Sequence, residues 1–157
     1  MKLLLMKILP YAFSLLFFLA PSAVALESDR NQSARVEADK VEMDFSSGTR
    51  LYRGDVRFRQ GTIRIFADQI ELIYEGEQPE HGIATGNPAV FRQRPDGKDH
   101  DVIGTGRRIE LDEIKNIVTI TGNAKLRQGR DSIEGERIVY DIARDRMSVE
   151  GEARQEH

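Results

Sequence analysis

The chain has no cysteine and no tryptophan, only three histidines, and aromatic residues make up 7% of its 157 residues. Without cysteine it can form no disulfide, no thiolate nucleophile and no thiolate-ligated metal site. The histidines, His81, His100 and His157, have no spacing that would place two of them on one face of a strand or helix. We therefore predict no metal site and no cofactor, and a fold held by burial and backbone pairing.

Long apolar runs are also missing, except for one near the N-terminus. Residues 8–20 are mostly apolar, two lysines precede them, and the small-x-small pattern Ala23-Val24-Ala25 follows. The run is shorter than the roughly 20 apolar residues that span a bilayer. It fits a secretory signal peptide, predicted to cover residues 1–25.

An excess of positive charge is missing too. The formal net charge is −3, and the predicted signal peptide carries two lysines and no acidic residue, so the exported protein is more acidic still. A net positive surface for nucleic acid is therefore excluded as the main device of the chain. What remains after residue 25 is of ordinary size for one domain.

Two series of short repeats run through that remainder. The first comprises ADKVEM at Ala38, ADQIEL at Ala67, GRRIEL at Gly106 and GERIVY at Gly135. The second comprises GDVRFRQ at Gly54, GNPAVFRQ at Gly86, GNAKLRQ at Gly122 and a clipped GEA at Gly151. The chain is thus about four copies of a two-segment unit.

Apolar and polar residues alternate within these segments, as at Val41 and Met43 or at Ile109 and Leu111. A period of two indicates strands with one dry face and one wet face. We predict an all-β fold of eight long antiparallel strands, several kinked at mid-strand glycines, with a bulge at Pro88. A short turn is expected around residues 27–33, and the two longest connections, which contain His81 and His100, begin at Glu75 and Arg94.

The dry face is rich in aliphatic side chains, and two interpretations of it stay open. It is either an ordinary sandwich core or a trough for acyl chains, whose burial is worth about 0.8 kcal/mol per methylene. Val118, Ile133, Met147 and Val149 share this face. The candidate lipid-binding residues are Val36, Val41, Met43, Val56, Phe58, Ile63, Ile65, Ile70, Leu72, Phe91, Ile109, Leu111, Ile120, Leu126, Ile138 and Tyr140.

Three stretches, LYRGDVRFRQGTIRIFADQIELIY, GIATGNPAVFRQ and VTITGNAKLRQGRDSIEGERIVY, resemble the OstA-like family of periplasmic lipopolysaccharide-transport proteins. The resemblance covers roughly Val36 to Gly151. It implies a twisted, boat-like β-jellyroll, open along one side, with lipopolysaccharide acyl chains inside. The family's lipid-facing positions fall on Val36, Phe91, Ile109 and Leu111.

The resemblance also implies partners and a place in the cell. These are an inner-membrane lipopolysaccharide-transport protein C, an outer-membrane lipopolysaccharide-transport protein D, and head-to-tail homo-oligomers that bridge the two membranes across the periplasm. We expect a lead-in at residues 26–35, the domain at 36–154 and a tail at 155–157. The fourth repeat leaves no room for a further strand, so the C-terminal edge is expected at residues 146–153.

Three other interpretations remain. The same fold could serve as a periplasmic scaffold with a closed dry core. Asp39 and Asp68 occupy equivalent repeat positions and could form a glycosidase pair, but Arg107 and Glu136 stand there in the other copies, which favours strand starts and turn caps over catalysis. The Arg-Gln pairs after Phe58, Phe91 and Leu126 either touch a polar head group or, the favoured alternative, end strands at the solvent rim.

Overall fold

The computed structural model describes residues 27–156, so the predicted signal peptide and His157 lie outside the described residues. One helical turn, α1 (Glu27–Arg30), confirms the expected N-terminal turn. No helix in the described range is long and apolar enough to cross a membrane. The strands are β1 (Arg35–Glu37), β2 (Lys40–Asp44), β3 (Thr49–Gln60), β4 (Ile63–Glu75), β5 (Gln78–Gln93), β6 (Val102–Asp112), β7 (Ile117–Gln128), β8 (Asp131–Asp141), β9 (Arg146–Glu150) and β10 (Arg154–Glu156).

All ten strands belong to one antiparallel sheet. From β3 to β8 each strand pairs with its chain neighbours, while β1 and β2 both pair with β3, and β9 and β10 both pair with β8. The sheet is therefore eight strands wide, with its first and last strands each divided in two. This confirms the all-β fold class and the expectation of eight long antiparallel strands, of which the first and last are broken into two.

The strands bend at one common level. The five ladders from β3 to β8 each shift register, for example between Arg53 and Val56 and between Thr121 and Ala124. We call this level the bend line. The two repeat series lie on it, because their starting residues fall at or beside these shifts and at the breaks that separate β1 from β2 and β9 from β10.

The bend line explains the glycines of the second series. Gly54 and Gly122 have φ of 81° and 77°, a region that favours glycine. Each also faces a side chain from the first series on the neighbouring strand: Asp39 lies over Gly54 and Arg107 lies over Gly122. A Cβ at either glycine would collide with that side chain, so the two series are the two sides of one contact.

Three expectations about connections have clear outcomes. The bulge at Pro88 is confirmed by the register shift between Thr85 and Ala89. The connection from Glu75 is shorter than predicted, because the chain turns at Gly76 and resumes pairing at Gln78. His81 is thus a strand residue paired with Ile73 and Asp112 and not a loop residue.

Two further expectations concerned strand ends. Asp39 lies between β1 and β2, near a strand start, but Asp68 lies inside β4, so the prediction that both begin strands is wrong for Asp68. The C-terminal edge is longer than expected, because Arg154–Glu156 pairs with residues 132–134 of β8. The described chain therefore has a divided final strand that reaches Glu156, whereas the sequence predicts an edge that ends at Ala153.

The bend line divides the sheet into two halves. Half A contains β1, β10 and residues 56–60, 63–67, 89–93, 102–105, 124–128 and 131–135; half B contains β2, β9 and residues 49–53, 69–75, 78–85, 108–112, 117–121 and 137–141. The buried apolar side chains of both halves form a single cluster. The sheet is thus folded over along the bend line, with its dry face inside.

Candidate functional site

The inward side chains form continuous rows that run perpendicular to the strands. In half A, one row is Val36, Phe58, Ile65, Phe91, Gly104, Leu126, Ile133 and Gln155. In half B, one row is Val41, Tyr52, Ile70, Ala84, Ile109, Ile120, Ile138 and Val149, and the next is Met43, Arg50, Leu72, Gly82, Leu111, Val118, Tyr140 and Met147. Direct cross-strand neighbours share a face, so these rows give the interior an apolar lining along its length.

The structure places the sixteen candidate residues on this inward face, but not equally deep. Thirteen of them are buried. Val36 is partly buried against the same cluster, whereas Val41 and Met43 are each 47% exposed. The candidates therefore belong to one surface that is covered in the middle of the sheet and uncovered at its β2 end.

The interior is filled by the side chains themselves. A Cβ added at Gly104 or Gly106 would collide with Ile120, and one at Gly135 would collide with Val149. One small apolar pocket, of about 10 Å³, lies between Phe58, Leu72 and Leu111. The expected accessible trough is therefore closed, because the two apolar faces minimise their exposure by packing against each other.

The glutamines of the repeated Arg-Gln pairs lie at the far edge of this interior. Gln60 and Gln93 are 3% and 5% exposed, so the prediction that these pairs end at the solvent rim is wrong for these two glutamines, whereas Gln128 is partly exposed. Gln60 Nε2 donates to the backbone oxygens of Arg30 and Gln32 at 3.3 and 3.2 Å. Strand parity predicts the burial of these glutamines. Side chains two residues apart in a strand lie on the same face, and each glutamine lies two residues after an inward apolar residue.

Asp145 connects the edges of the two halves. Its carboxylate accepts hydrogen bonds from Gln128 Nε2 at 3.0 Å and from Tyr140 Oη at 2.9 Å, and Lys98 Nζ lies 3.2 Å away. Gln128 and Lys98 belong to the half A edge, and Asp145 belongs to the half B edge. Burial alone would raise the pKa of Asp145, but the hydrogen bonds from Tyr140, Lys98 and Gln128 outweigh burial and lower it.

A second connection is made by α1. Asp29 accepts hydrogen bonds from the backbone N–H of Thr62 at 2.6 Å and from Gln93 Nε2 at 3.0 Å, which attaches α1 to half A. Arg30 Nε lies 3.7 Å from Glu113 Oε2 on the half B edge. We call the contacts of Asp29, Arg30, Lys98, Glu113, Gln128 and Asp145 the seam. The sequence carried no signal for it beyond the repeated glutamines.

Glu113 has the least favourable surroundings of the residues in the seam. Its side chain is buried and its Oε1 has no hydrogen-bond partner. Burial raises the pKa of Glu113, an effect that the nearby Arg30 guanidinium reduces and Asp29 and Asp112 increase. Polar contacts therefore hold the seam together, whereas apolar packing holds the interior behind it. One of these polar contacts involves the Glu113 carboxylate, whose ionised form is disfavoured by burial.

Groups that could support other chemistry lie apart from this interior. His81 is exposed and its Nε2 lies 3.9 Å from Asp112. Within residues 27–156 no cluster of three or more His, Asp or Glu side chains could hold a metal ion. The Asp39 side chain faces Gly54 at the bend line and not the apolar rows.

Comparisons with known proteins point to one family. Residues 35–146 match the family model described as "LptA/(LptD N-terminal domain) LPS transport protein". The chain is similar to the lipopolysaccharide export system protein LptH of Pseudomonas aeruginosa, with 37% identity over 143 residues that cover 87% of this chain and 79% of that protein. It is 35% identical over 130 residues to LptA of Escherichia coli K12, covering 81% and 69%.

A solved structure shows the same fold. It is the crystal structure of LptH from Pseudomonas aeruginosa, described as the LptA-homologous periplasmic component of a lipopolysaccharide transport device. The TM-score is 0.76 at 32% identity, and the match covers 80% of this chain and 87% of that one. These relatives are named as transport proteins and not as enzymes.

Proposed function

The chain belongs to the LptA/(LptD N-terminal domain) family of lipopolysaccharide transport proteins, and we propose that it carries lipopolysaccharide with the acyl chains between halves A and B. The observation that supports this is the set of inward rows, which continue across all eight strands of each half and are interrupted by a polar side chain only at Arg50 and Gln155. A compact core needs buried residues but no such continuity. A lipid moving along the protein needs the same lining at every step.

Binding requires the closed interior to open. When the halves part, aliphatic side chains lose contacts with each other and gain contacts with acyl chains, an exchange between apolar surroundings that changes free energy little. The remaining apolar surface of each acyl chain then contributes about 0.8 kcal/mol per methylene. The polar seam contacts are partly exposed and are individually weak. Opening along the seam is therefore the proposed route for the lipid.

We also propose the location and partners of this carrier. It acts in the periplasm, after removal of residues 1–25, between an inner-membrane lipopolysaccharide-transport protein C and an outer-membrane lipopolysaccharide-transport protein D. Strands β2 and β9 each have a strand neighbour on one side only in the described sheet. Such edges can accept a strand from a partner, or from a second copy in a head-to-tail array.

Site-specific photo-crosslinking tests the lipid site. A photoreactive phenylalanine analogue placed at Phe91, Leu111 or Met43 is expected to crosslink added lipopolysaccharide, because all three positions lie on the inward rows. The matched control is Phe66, which lies between the inward residues Ile65 and Ala67 of β4 and is 41% exposed. A periplasmic scaffold with a permanently closed core predicts no crosslink at Phe91 or Leu111, and that result would reject the proposal.

The Met43 variant tests lipid contact without substituting a buried residue. Substitution at the buried Phe91 and Leu111 can perturb folding, whereas Met43 is half exposed and tolerates a larger side chain. Circular dichroism of each variant establishes the fold before lipid is added. Crosslinking from Met43 but not from Phe66 supports the inward rows even where a core variant is unstable.

A further inference from the structure

Arg50 is a basic side chain in an apolar row. It lies in β3 opposite Met43 on β2 and Leu72 on β4, and so shares their inward face. Among the strands that the structure describes, the other lysines and arginines fall outside the three inward rows. Arg50 occupies the second strand of its row, next to the uncovered β2 end.

The guanidinium of Arg50 is held by an aromatic ring and not by an acid. Its Cζ lies 3.7 Å from the centroid of the Tyr74 ring. No carboxylate in the described residues lies within 4.0 Å of it, whereas Arg53, on the outward face of the same strand, pairs with Glu42 at 2.9 Å. Stacking on one face leaves the in-plane N–H donors of a guanidinium free for a ligand.

A surface pocket of about 380 Å³ adjoins this guanidinium. Its apolar contributors, Met43 and Phe45, are 47% and 87% exposed. Its acidic contributors are Asp44 and Glu75. Hydrogen bonds from Ser46 and Ser47 occupy Asp44 and lower its pKa to about 2, so that carboxylate is already satisfied without Arg50.

We propose that Arg50 binds a phosphate group of the carried lipid at the β2 end of the interior, while an acyl chain enters along the row through Met43 and Leu72. This rests on the proposed function, since lipopolysaccharide combines acyl chains with sugar phosphates. An arginine fork is suited to phosphate oxygens, and prior stacking on Tyr74 reduces the rotamer freedom that binding would remove. The apolar side chains beside it give the adjoining acyl chain a surface to contact.

The test compares two lipids and one free anion. Lipid A that carries both phosphates, the same lipid with its phosphates removed, and inorganic phosphate are each titrated into the exported form of the protein. Binding is followed by displacement of a fluorescent fatty acid and by thermal shift. Lipid-bound phosphate and free phosphate present the same oxygens, so the third arm separates the two sources.

Arg50→Gln is expected to weaken binding of phosphorylated lipid A about tenfold, the size of one charge-assisted contact at a partly exposed position. It should leave the phosphate-free lipid unchanged. Arg50→Lys, which keeps the charge but loses the stacked fork, should give a smaller loss. Arg57→Gln makes the same charge change on the outward, exposed side of β3, and should alter binding of neither lipid.

Each outcome decides the proposal. Equal losses for both lipids, or no loss for Arg50→Gln, overturns the phosphate contact but leaves the lipid site intact. Tight binding of inorganic phosphate that Arg50→Gln abolishes, with no preference for phosphorylated lipid, would make Arg50 a free-phosphate site instead. Failure of the unmodified protein to bind either lipid rejects the proposed function and this inference with it.

Discussion

The middle of the sheet and its β2 end are built from the same rows, yet they differ in what covers them. In the middle, Val118, Ile120 and Leu126 are 0% exposed, because half A and half B pack directly together. At the β2 end the next members of the half B rows, Val41 and Met43, are left half exposed. The inward rows therefore extend over the whole sheet, whereas only the middle of the sheet is covered.

This difference shows that the continuity of the inward rows and the closure of the interior have separate physical causes. The rows follow from strand parity and register, which extend over the whole sheet. Closure follows from contact between the halves and from the seam, which involves α1, strands β3 to β8 and the turns that follow them. A lipid could thus begin to bind at the uncovered end while the middle is still closed.

The largest expected effect comes from making the same substitution, valine to alanine, in the middle of the sheet and at its β2 end. Val118→Ala removes methyl groups from the closed middle and should lower the free energy of unfolding by about 2 to 3 kcal/mol, as transfer and cavity effects add. Val41→Ala, at the half-exposed end of the same half, should change it by less than about 0.5 kcal/mol. Urea denaturation of both variants measures the contrast, and equal losses would show that the two regions do not differ in packing.

The second effect breaks the seam. Asp145→Asn removes the charge that Lys98 contacts and weakens the bonds to Tyr140 and Gln128, and should cost about 1 kcal/mol at pH 7. The lowered pKa of Asp145 means that its contribution is present above the ordinary value of 3.8 and is lost as the pH falls through the lowered value. The variant should therefore lose less stability than the unmodified protein on acidification.

Asp55→Asn is the matched control for that variant. Asp55 also has a positive φ and forms an ion pair, with Arg57 at 2.8 Å, but its side chain is 73% exposed. It should change stability little at any pH. Urea denaturation at pH 7 and at pH 3 compares the two, and a similar response from both would contradict the role of Asp145 in the seam.

The smallest effect has the opposite sign. The pKa of Glu113 is raised by burial, so its ionised form opposes folding above its ordinary value, and that cost is present in full once the pH exceeds the raised value. Glu113→Gln should therefore stabilise the protein slightly at pH 7, by less than about 1 kcal/mol, and have no such effect at pH 4. Glu110→Gln, on the exposed face of β6, is its control. A loss of stability at pH 7 would mean that the contact with Arg30 outweighs burial.

Much of this fold could be predicted from the sequence because its signals are local. Alternation fixed which residues of β4 and β7 face inward, and the repeated glycines marked the bend line. Both depend on one or two residues at a time. The sixteen candidate residues accordingly fall on one face, and their contact with lipid stays a prediction.

The seam could not be predicted because it depends on how the halves meet. Gln93 and Asp29 are 64 positions apart in the chain, and nothing near either residue indicates the other. The strand at Gln78 was missed for a different reason. The stretch from Glu75 is rich in turn-forming residues, which predicts a loop. Its proline, Pro79, lies where the ladder between β4 and β5 shifts register, so the missing backbone N–H has little effect on strand pairing.

The alignment of every bend at one level has a consequence for evolution and for design. Because three of the four strand pairs carry both halves of the Asp39–Gly54 type of contact, the others being Arg107–Gly122 and Glu136–Gly151, the cross-section of the protein is specified largely within single hairpins. Inserting or deleting a hairpin of this kind should change how far the molecule extends while its width and curvature stay the same. Length is then an adjustable property, set by the number of units alone.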